Sequence, residues 1–363
     1  MKKTIKMVLV LGITALLISL IGCSSEKQVN APIEQPEIQY IEDSESEETF
    51  FKQNYSNIYP LTGIGTNEQI NQRIFAVMVN NHSTARPQSG LHKADIVFEI
   101  LSEWEITRYL ALYQSELPDV VGPVRSARDY FIHLSNGYGS IYVAYGGSPE
   151  AFLLLRDMEM MDYIGGILRT GYADDEFFYR VNFRKAPHNV YTTKEELIRG
   201  ADRRNYSLTQ NVEPYLFMTE NEIPKISGKP AKDIMINYGP YYNTSFKFDE
   251  KSKKYQRFTN DEQSKDRETD TPIEVNNVLI IEAPHKVIDN EGRRDIQLDG
   301  SGRGYIIQHG IVRDIIWENN DGRIIPYING EVVALSPGKT WINVIPDSPG
   351  LEKMISFGIE NEE

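Results

Sequence analysis

The sequence predicts an α+β protein: an N-terminal mixed sheet covered by helices, followed by a C-terminal, mostly antiparallel β domain. Three observations carry that prediction. Up to about residue 205, apolar runs rich in β-branched and aromatic residues are interspersed with capped helical stretches. Beyond it the helical signals fade, and short strand-like runs follow one another between Gly, Asn, Asp and Pro. Within that second part "ENNDGRI" and "INGEV" are hairpin turns, because Asp-Gly and Asn-Gly accept the positive φ that tight connections demand.

The chain begins with Lys2, Lys3 and Lys6, then runs through an apolar stretch from Met7 to Ile21 and reaches Leu20-Ile21-Gly22-Cys23. That order predicts a secretory signal peptide over residues 1–22. The apolar stretch is shorter than the roughly 20 residues a membrane-spanning helix needs. Leu-Ile-Gly-Cys resembles the bacterial lipobox, and the resemblance implies a lipidated Cys23, acylated on sulfur (palmitate), that anchors the mature chain to a membrane. Cys23 is the only cysteine, so the folded part forms no internal disulfide and relies on packing.

Formal charge falls from −14 to −17 when Lys2, Lys3 and Lys6 leave with the leader. Such an acidic chain is a poor partner for a polyphosphate backbone, which argues against nucleic acid. Residues 23–57, with the acidic run "IEDSESEE", bury too little to repay the entropy of ordering and read as a disordered acidic tether. Its reach, at ~5–6 Å times the square root of its length, is about 30 Å.

Residues 58–210 form the predicted N-terminal α/β domain. Strands are expected at "RIFAVMVN" (73–80), "ADIVFEIL" (94–101), "ITRYLALY" (106–113) and "SIYVAYG" (140–146). A helix is expected to start at Pro123, since proline suits a first helical position; a second to start after the N-cap Ser148; and a third after Thr193, which stands at capping-box spacing from Glu196. Residues 211–355 form the predicted C-terminal β-rich domain. Its loop "NDEQSKDRETDTP" (260–272) is too long and charged for a tight hairpin and is expected to be mobile.

Candidate chemistry concentrates in loops of the first part. "NNHSTARPQSGL" (80–91) crowds Asn81, His82, Arg86, Gln88 and Ser89 at a strand end, where a ligand site or a self-bonded turn would serve equally. Glu103 and Arg108 flank Thr107 and are an ion pair or a partner set for another loop. In "VGPVRSARDYF" (121–131), Arg125, Ser126 and Arg128 follow a Gly-Pro pair; at a helix N-terminus, cations need a compensating anion, either an acidic side chain or a ligand. "GGSPEAF" offers Gly147 and Ser148 at a helix start, and "YRVNFRKAPHNVY" brings Arg180, His188 and Asn189. No P-loop, paired-His zinc spacing or Cys cluster occurs, so neither a metal site nor a cofactor is expected, and no catalytic residue is assigned.

"ARPQSGL" (85–91), "ITR" (106–108), "GPVRSAR" (122–128), "GGS" (146–148), "PHN" (187–189), "LDGSGRGYI" and "PGKTW" (337–341), in this order, resemble the YerB-type lipoproteins of Bacillus-like bacteria. The family is one of unknown function. The resemblance implies a two-domain, lipid-anchored protein on the outer face of a Gram-positive cell membrane. The family's approach to the Thr-Arg pair is of Glu-Gly-Gly type, whereas Trp104 and Glu105 fill that space here. The expected function is binding of an anionic, phosphate- or carboxylate-bearing envelope component, a small molecule or a cell-wall polymer, in an Arg-rich cleft. Asn81, Arg86, Gln88, Ser89, Glu103, Arg108, Arg125, Ser126, Arg128, Gly147, Ser148, Arg180, His188 and Asn189 are its expected residues. The alternatives are a scaffold that binds another envelope protein, and a hydrolase of cell-wall polymer using His188 or Glu103 as base.

Overall fold

A computed structural model describes residues 55–157, 161–166 and 175–358. The leader, Cys23 and nearly all of the acidic segment lie outside the described residues. The labelled elements, in chain order, are β1 (Phe75–Asn80), β2 (Ile96–Glu103), β3 (Ile106–Tyr113), α1 (Asp129–Gly137), β4 (Ile141–Tyr145), α2 (Pro149–Asp157), β5 (Tyr163–Gly166) and α3 (Lys194–Arg203). Then follow β6 (Asp233–Gly239), β7 (Tyr242–Asp249), β8 (Lys254–Thr259), β9 (Asn277–Ala283), β10 (Ser301–Gln308), β11 (Ile311–Asn320), β12 (Arg323–Ile328) and β13 (Thr340–Pro346). The protein is broadly α+β, with strands predominating.

Twelve strands form the main sheet, and both halves of the chain contribute to it. Among the described residues its path runs from the short edge strand Glu331–Val332 through β12-β11-β10-β9-β13-β2-β3-β1-β4-β5, with Lys229–Pro230 pairing onto β11 off that path. The strand that joins the halves is β13, parallel to β9 on one side and to β2 on the other, with Ile342 opposite both Leu279 and Phe98. Central parallel strands are buried on both faces and read as continuous apolar runs; β9 and β13 are buried along their whole length. The described residues belong to a single compact unit, and strands from both halves of the chain share its main sheet.

Period-two alternation sorts the side chains of β1, β2 and β3 onto two faces. On one face Val77, Val79, Val97, Tyr109 and Ala111 pack with Ile234 and Ile236 of β6, Phe246 of β7, Tyr255 of β8 and Leu197 and Ala201 of α3. On the other, Ala76, Met78, Phe98, Leu110 and Leu112 pack under Tyr130, Phe131, Ile132 and Leu134 of α1. Burying each such side chain contributes roughly 1.5–3 kcal/mol, which fixes α1 more firmly than its own propensity could. Ser148 and Thr193 cap α2 and α3 as their sequences predict, accepting from Ala151 N–H (3.2 Å) and Glu196 N–H (3.2 Å). The Asp321-Gly322 and Asn329-Gly330 turns both have positive φ.

Two local expectations are corrected. The helix expected from Pro123 starts at Asp129, and residues 121–128 are an extended strap. The cause is tertiary. Pro123 carbonyl accepts from Asn80 N–H (2.9 Å), Arg125 N–H donates to Met78 carbonyl (2.9 Å) and Ala127 N–H donates to Gly146 carbonyl (2.8 Å). Coiling the strap would strip the ends of β1 and β4 of these partners. The loop 260–272, in turn, is docked: Asp266 accepts from the N–H groups of Gly90, Glu268 and Thr269, and Arg267 N–H donates to Gln88 carbonyl. Burial alone would raise the Asp266 pKa, but bonds from His92, Gly90 and Thr269 hold it down to about 2.

Candidate functional site

The β2–β3 hairpin turns at Trp104-Glu105, with a register shift between Leu101 and Glu103 that brings Glu103 round to Arg108 on the neighbouring strand. Arg108 donates from Nη2 to both Glu103 oxygens (2.7 and 2.7 Å) and from Nη1 to Ser126 carbonyl (2.9 Å). Arg128, the N-cap residue of α1, donates to the same carboxylate and to Ala127 carbonyl. Burial and the Arg128 charge lower the Arg108 pKa to about 9 against the pull of Glu103. Burial would raise the Glu103 carboxyl, and the two arginines hold it below its usual range. Glu103 is thus the acidic side chain that the cations of this stretch required.

One carboxylate cannot neutralise three guanidinium groups. Arg125, half-buried at the centre of the strap, has a side chain that makes no hydrogen bond or ion pair among the described residues. Burial and Arg128 lower its pKa, and Glu103 opposes them. Its charge is felt by two histidines, His82 and His188, whose rings stack at 4.4 Å.

The protonation of that pair follows from backbone donors. His82 N–H can only donate, and it donates to Asn80 Oδ1 (3.0 Å), which leaves Asn80 Nδ2 to donate to His188 Nδ1 (2.8 Å). Likewise Thr84 N–H donates to His82 Nδ1 (3.2 Å). Each neutral ring therefore keeps its proton on Nε2. Burial, then Arg86 and Arg125, lower the His82 pKa; burial, then His82, Arg125 and Arg184, lower that of His188 to about 4. Among the described residues, the charged side chains acting on the pair, Arg86, Arg125 and Arg184, are all cations. Two neutral N–H donors thus face a field of guanidinium groups, and this seat has the chemistry that suits an anion.

A second polar network, centred on Asn81, builds the floor of a cleft beside it. Asn81 is buried; its Oδ1 accepts from Arg86 Nε (3.0 Å) and Gln88 Nε2 (3.1 Å), and its Nδ2 donates to Thr107 Oγ1 (2.7 Å) and Tyr242 hydroxyl. Tyr242 passes the chain of bonds to the fully buried Glu99, which also accepts from Trp341 Nε1 (2.9 Å) and pairs with Arg257 (3.0 Å). Burial would raise Glu99, and Arg257 with these donors keeps it lowered. The Arg86 guanidinium lies 5.1 Å over the Tyr242 ring.

Above this floor opens a cleft of about 580 Å³, walled by His82, Arg86, Trp104, Tyr241, Tyr242 and Arg294. Asn260 and Glu105 complete its rim. A smaller hollow of about 240 Å³ lies behind Arg128 and Ser148.

The expected residues therefore divide. Arg86, Arg125 and His188 stand at the seat or the cleft. Asn81 and Gln88 hold Arg86 from below. Arg108, Arg128 and Glu103 satisfy one another. Ser89 donates to Glu268 (2.9 Å) and Ser126 to Tyr145 carbonyl (3.2 Å). Ser148 caps α2, Gly147 bridges the strap at Ala127, and Arg180 donates to Asn189 Oδ1 (2.7 Å). Tyr241, Tyr242, Asn260 and Arg294 come from the second half and carried no sequence signal beyond the Tyr-Tyr pair after Gly-Pro.

The family model described as "Protein of unknown function (DUF3048) N-terminal domain" matches residues 61–207, and its C-terminal counterpart matches residues 234–342. The chain is 43% identical over 292 residues to the Bacillus subtilis (strain 168) protein named "Putative lipoprotein YerB", spanning 79% of this chain and 86% of that one. It is also similar to the crystal structure of the YerB protein from Bacillus subtilis, with a TM-score of 0.75 and 41% identity over 84% of this chain and 100% of that one.

Proposed function

The chain belongs to the DUF3048 family, and from that premise we propose that it is a lipid-anchored extracytoplasmic protein that binds an anionic envelope component. The leader and the lipobox-like Cys23 support the anchoring, as does the word lipoprotein in the relative's name. Anion binding rests on one observation: Arg125 is half-buried without a partner among the described residues, beside two histidines that present Nε2–H into a field of guanidinium groups. A cation partly removed from water, with no hydrogen-bonded partner and only a share of the one carboxylate that Arg108 and Arg128 already hold, is costly unless an anion completes it.

Isothermal titration with inorganic phosphate, paired with thermal melts, tests this. Arg125→Ala should weaken binding about tenfold or more, the worth of one charge-assisted hydrogen bond of roughly 1.5–3 kcal/mol. Its melting temperature should hold or rise, because Arg125 lies near two like charges. An unchanged isotherm refutes the seat. A melt many degrees lower, with no phosphate bound by either protein, favours a scaffold in which the cluster only knits the fold together. Ser148 caps α2, so the hydrolase alternative rests on His188 or Glu103 acting as base on water.

A further inference from the structure

The cleft beside the seat carries features that an anion alone does not use. Trp104 and Tyr241 on its walls are 57% and 85% exposed, and large aromatic rings left in water beside a cavity mark a surface kept for a partner. Trp104 is held there by design of the backbone. Its φ is +50°, a left-handed conformation that costs a non-glycine residue about 1 kcal/mol or more. Its N–H donates to Gly292 carbonyl (3.1 Å), and its indole lies so close over Gly292 that a Cβ there would fall 2.5 Å from the ring. Arg294 fastens the same turn by donating to Trp104 carbonyl (2.6 Å). One face of the indole is thus seated on backbone while the ring borders the cleft as a fixed platform.

Resting on the anion-binding proposal, we infer that the ligand is a sugar phosphate unit of a glycan, its ring stacked on Trp104 and Tyr241 and its phosphate at Arg125, His82 and Arg86. A pyranose has weakly polar C–H faces and a hydroxyl rim. The cleft pairs aromatic walls with a rim of Asn260, Glu105 and Ser83 that can bond hydroxyls. His82 and Arg86 belong to the cleft and to the seat alike, so one ligand can span both. A volume of about 580 Å³ lies within the ~300–1,000 Å³ typical of small-molecule sites.

The tryptophans supply the assay. The sequence has three, and Trp317 and Trp341 are each 1% exposed, so fluorescence open to a soluble quencher belongs to Trp104. Acrylamide quenching and calorimetry are measured with glucose 1-phosphate, N-acetylglucosamine 1-phosphate, and glycerol 3-phosphate, which has a similar charge but no ring. At least one sugar phosphate should bind tenfold or more tighter than glycerol 3-phosphate and shield Trp104. Trp104→Gly, which suits the positive φ, should bring the sugar phosphate affinity down to that of glycerol 3-phosphate, and Tyr241→Ala should reduce the preference. If all three phosphates bind alike and Trp104 stays quenchable, the sugar inference falls and the anion seat stands. If none binds, both fall. Shielding of Trp104 by phosphatidylglycerol vesicles but by no sugar phosphate would overturn the inference in favour of a membrane surface.

Discussion

Replacing Glu103 by Gln keeps the side-chain shape and removes the one carboxylate between Arg108 and Arg128. Both guanidinium groups are buried, 3% and 6% exposed, and neither has another acidic partner within ion-pair distance among the described residues. Removing one member of a buried pair costs about 3–5 kcal/mol, because the remaining charge is left without compensation. Glu103 keeps a side chain 20% exposed, and water moderates the loss, so about 3 kcal/mol is expected. At roughly 2–4 °C per kcal/mol for a domain of this order of size, the melting temperature should fall by at least about 6 °C. Sulfate should restore part of it, since an anion bound to the folded state alone adds about 2.7 kcal/mol at a hundred times its Kd. Wild-type protein should gain less from sulfate than the variant. Differential scanning fluorimetry in sulfate and in chloride at equal ionic strength measures both effects. A variant that melts within about 1 °C of wild type refutes the buried pair, and equal gains from sulfate refute the exchange of anion for carboxylate.

Other outcomes follow from the same geometry. With a lowered pKa, about 4 at His188, the histidine pair is neutral in the free protein near neutral pH, and a bound anion should raise both values, so sulfate affinity should increase as pH falls from about 7 toward 5 with proton uptake; calorimetry in buffers of different ionisation enthalpy measures the uptake, and its absence contradicts the seat. Asp266, with a folded pKa near 2, contributes stability that is complete above the unfolded value of about 3.9 and lost as pH falls through 2, so Asp266→Asn should destabilise at pH 7 by about 2–3 kcal/mol and flatten the acid limb of the melting curve between pH 4 and 2. Ser148→Ala should cost about 1 kcal/mol through the lost cap, a melting shift of about 2–4 °C, with phosphate binding intact; a larger melting shift, or loss of phosphate binding, would show that Ser148 does more than cap α2.

The features legible in the chain's residues are local in origin: the strands with their alternation, the caps at Ser148 and Thr193, the Asp-Gly and Asn-Gly turns, and the clustering of arginine, histidine and amide groups in the strand-end loops. These depend on φ, on hydrogen bonds a few residues apart and on period-two burial, all written within a short window. Tertiary structure alone decided which cations are spent. Glu103 could have faced any arginine until a shift in the β2–β3 register aimed it at Arg108, and the strap 121–128 stayed extended because β1 and β4 needed its backbone. His188 meets Asn80 across 108 residues of chain, and Glu99 meets Arg257 across 158. Pairings at such distances are set by strand order and sheet closure, and residue spacing in the sequence carries no trace of them.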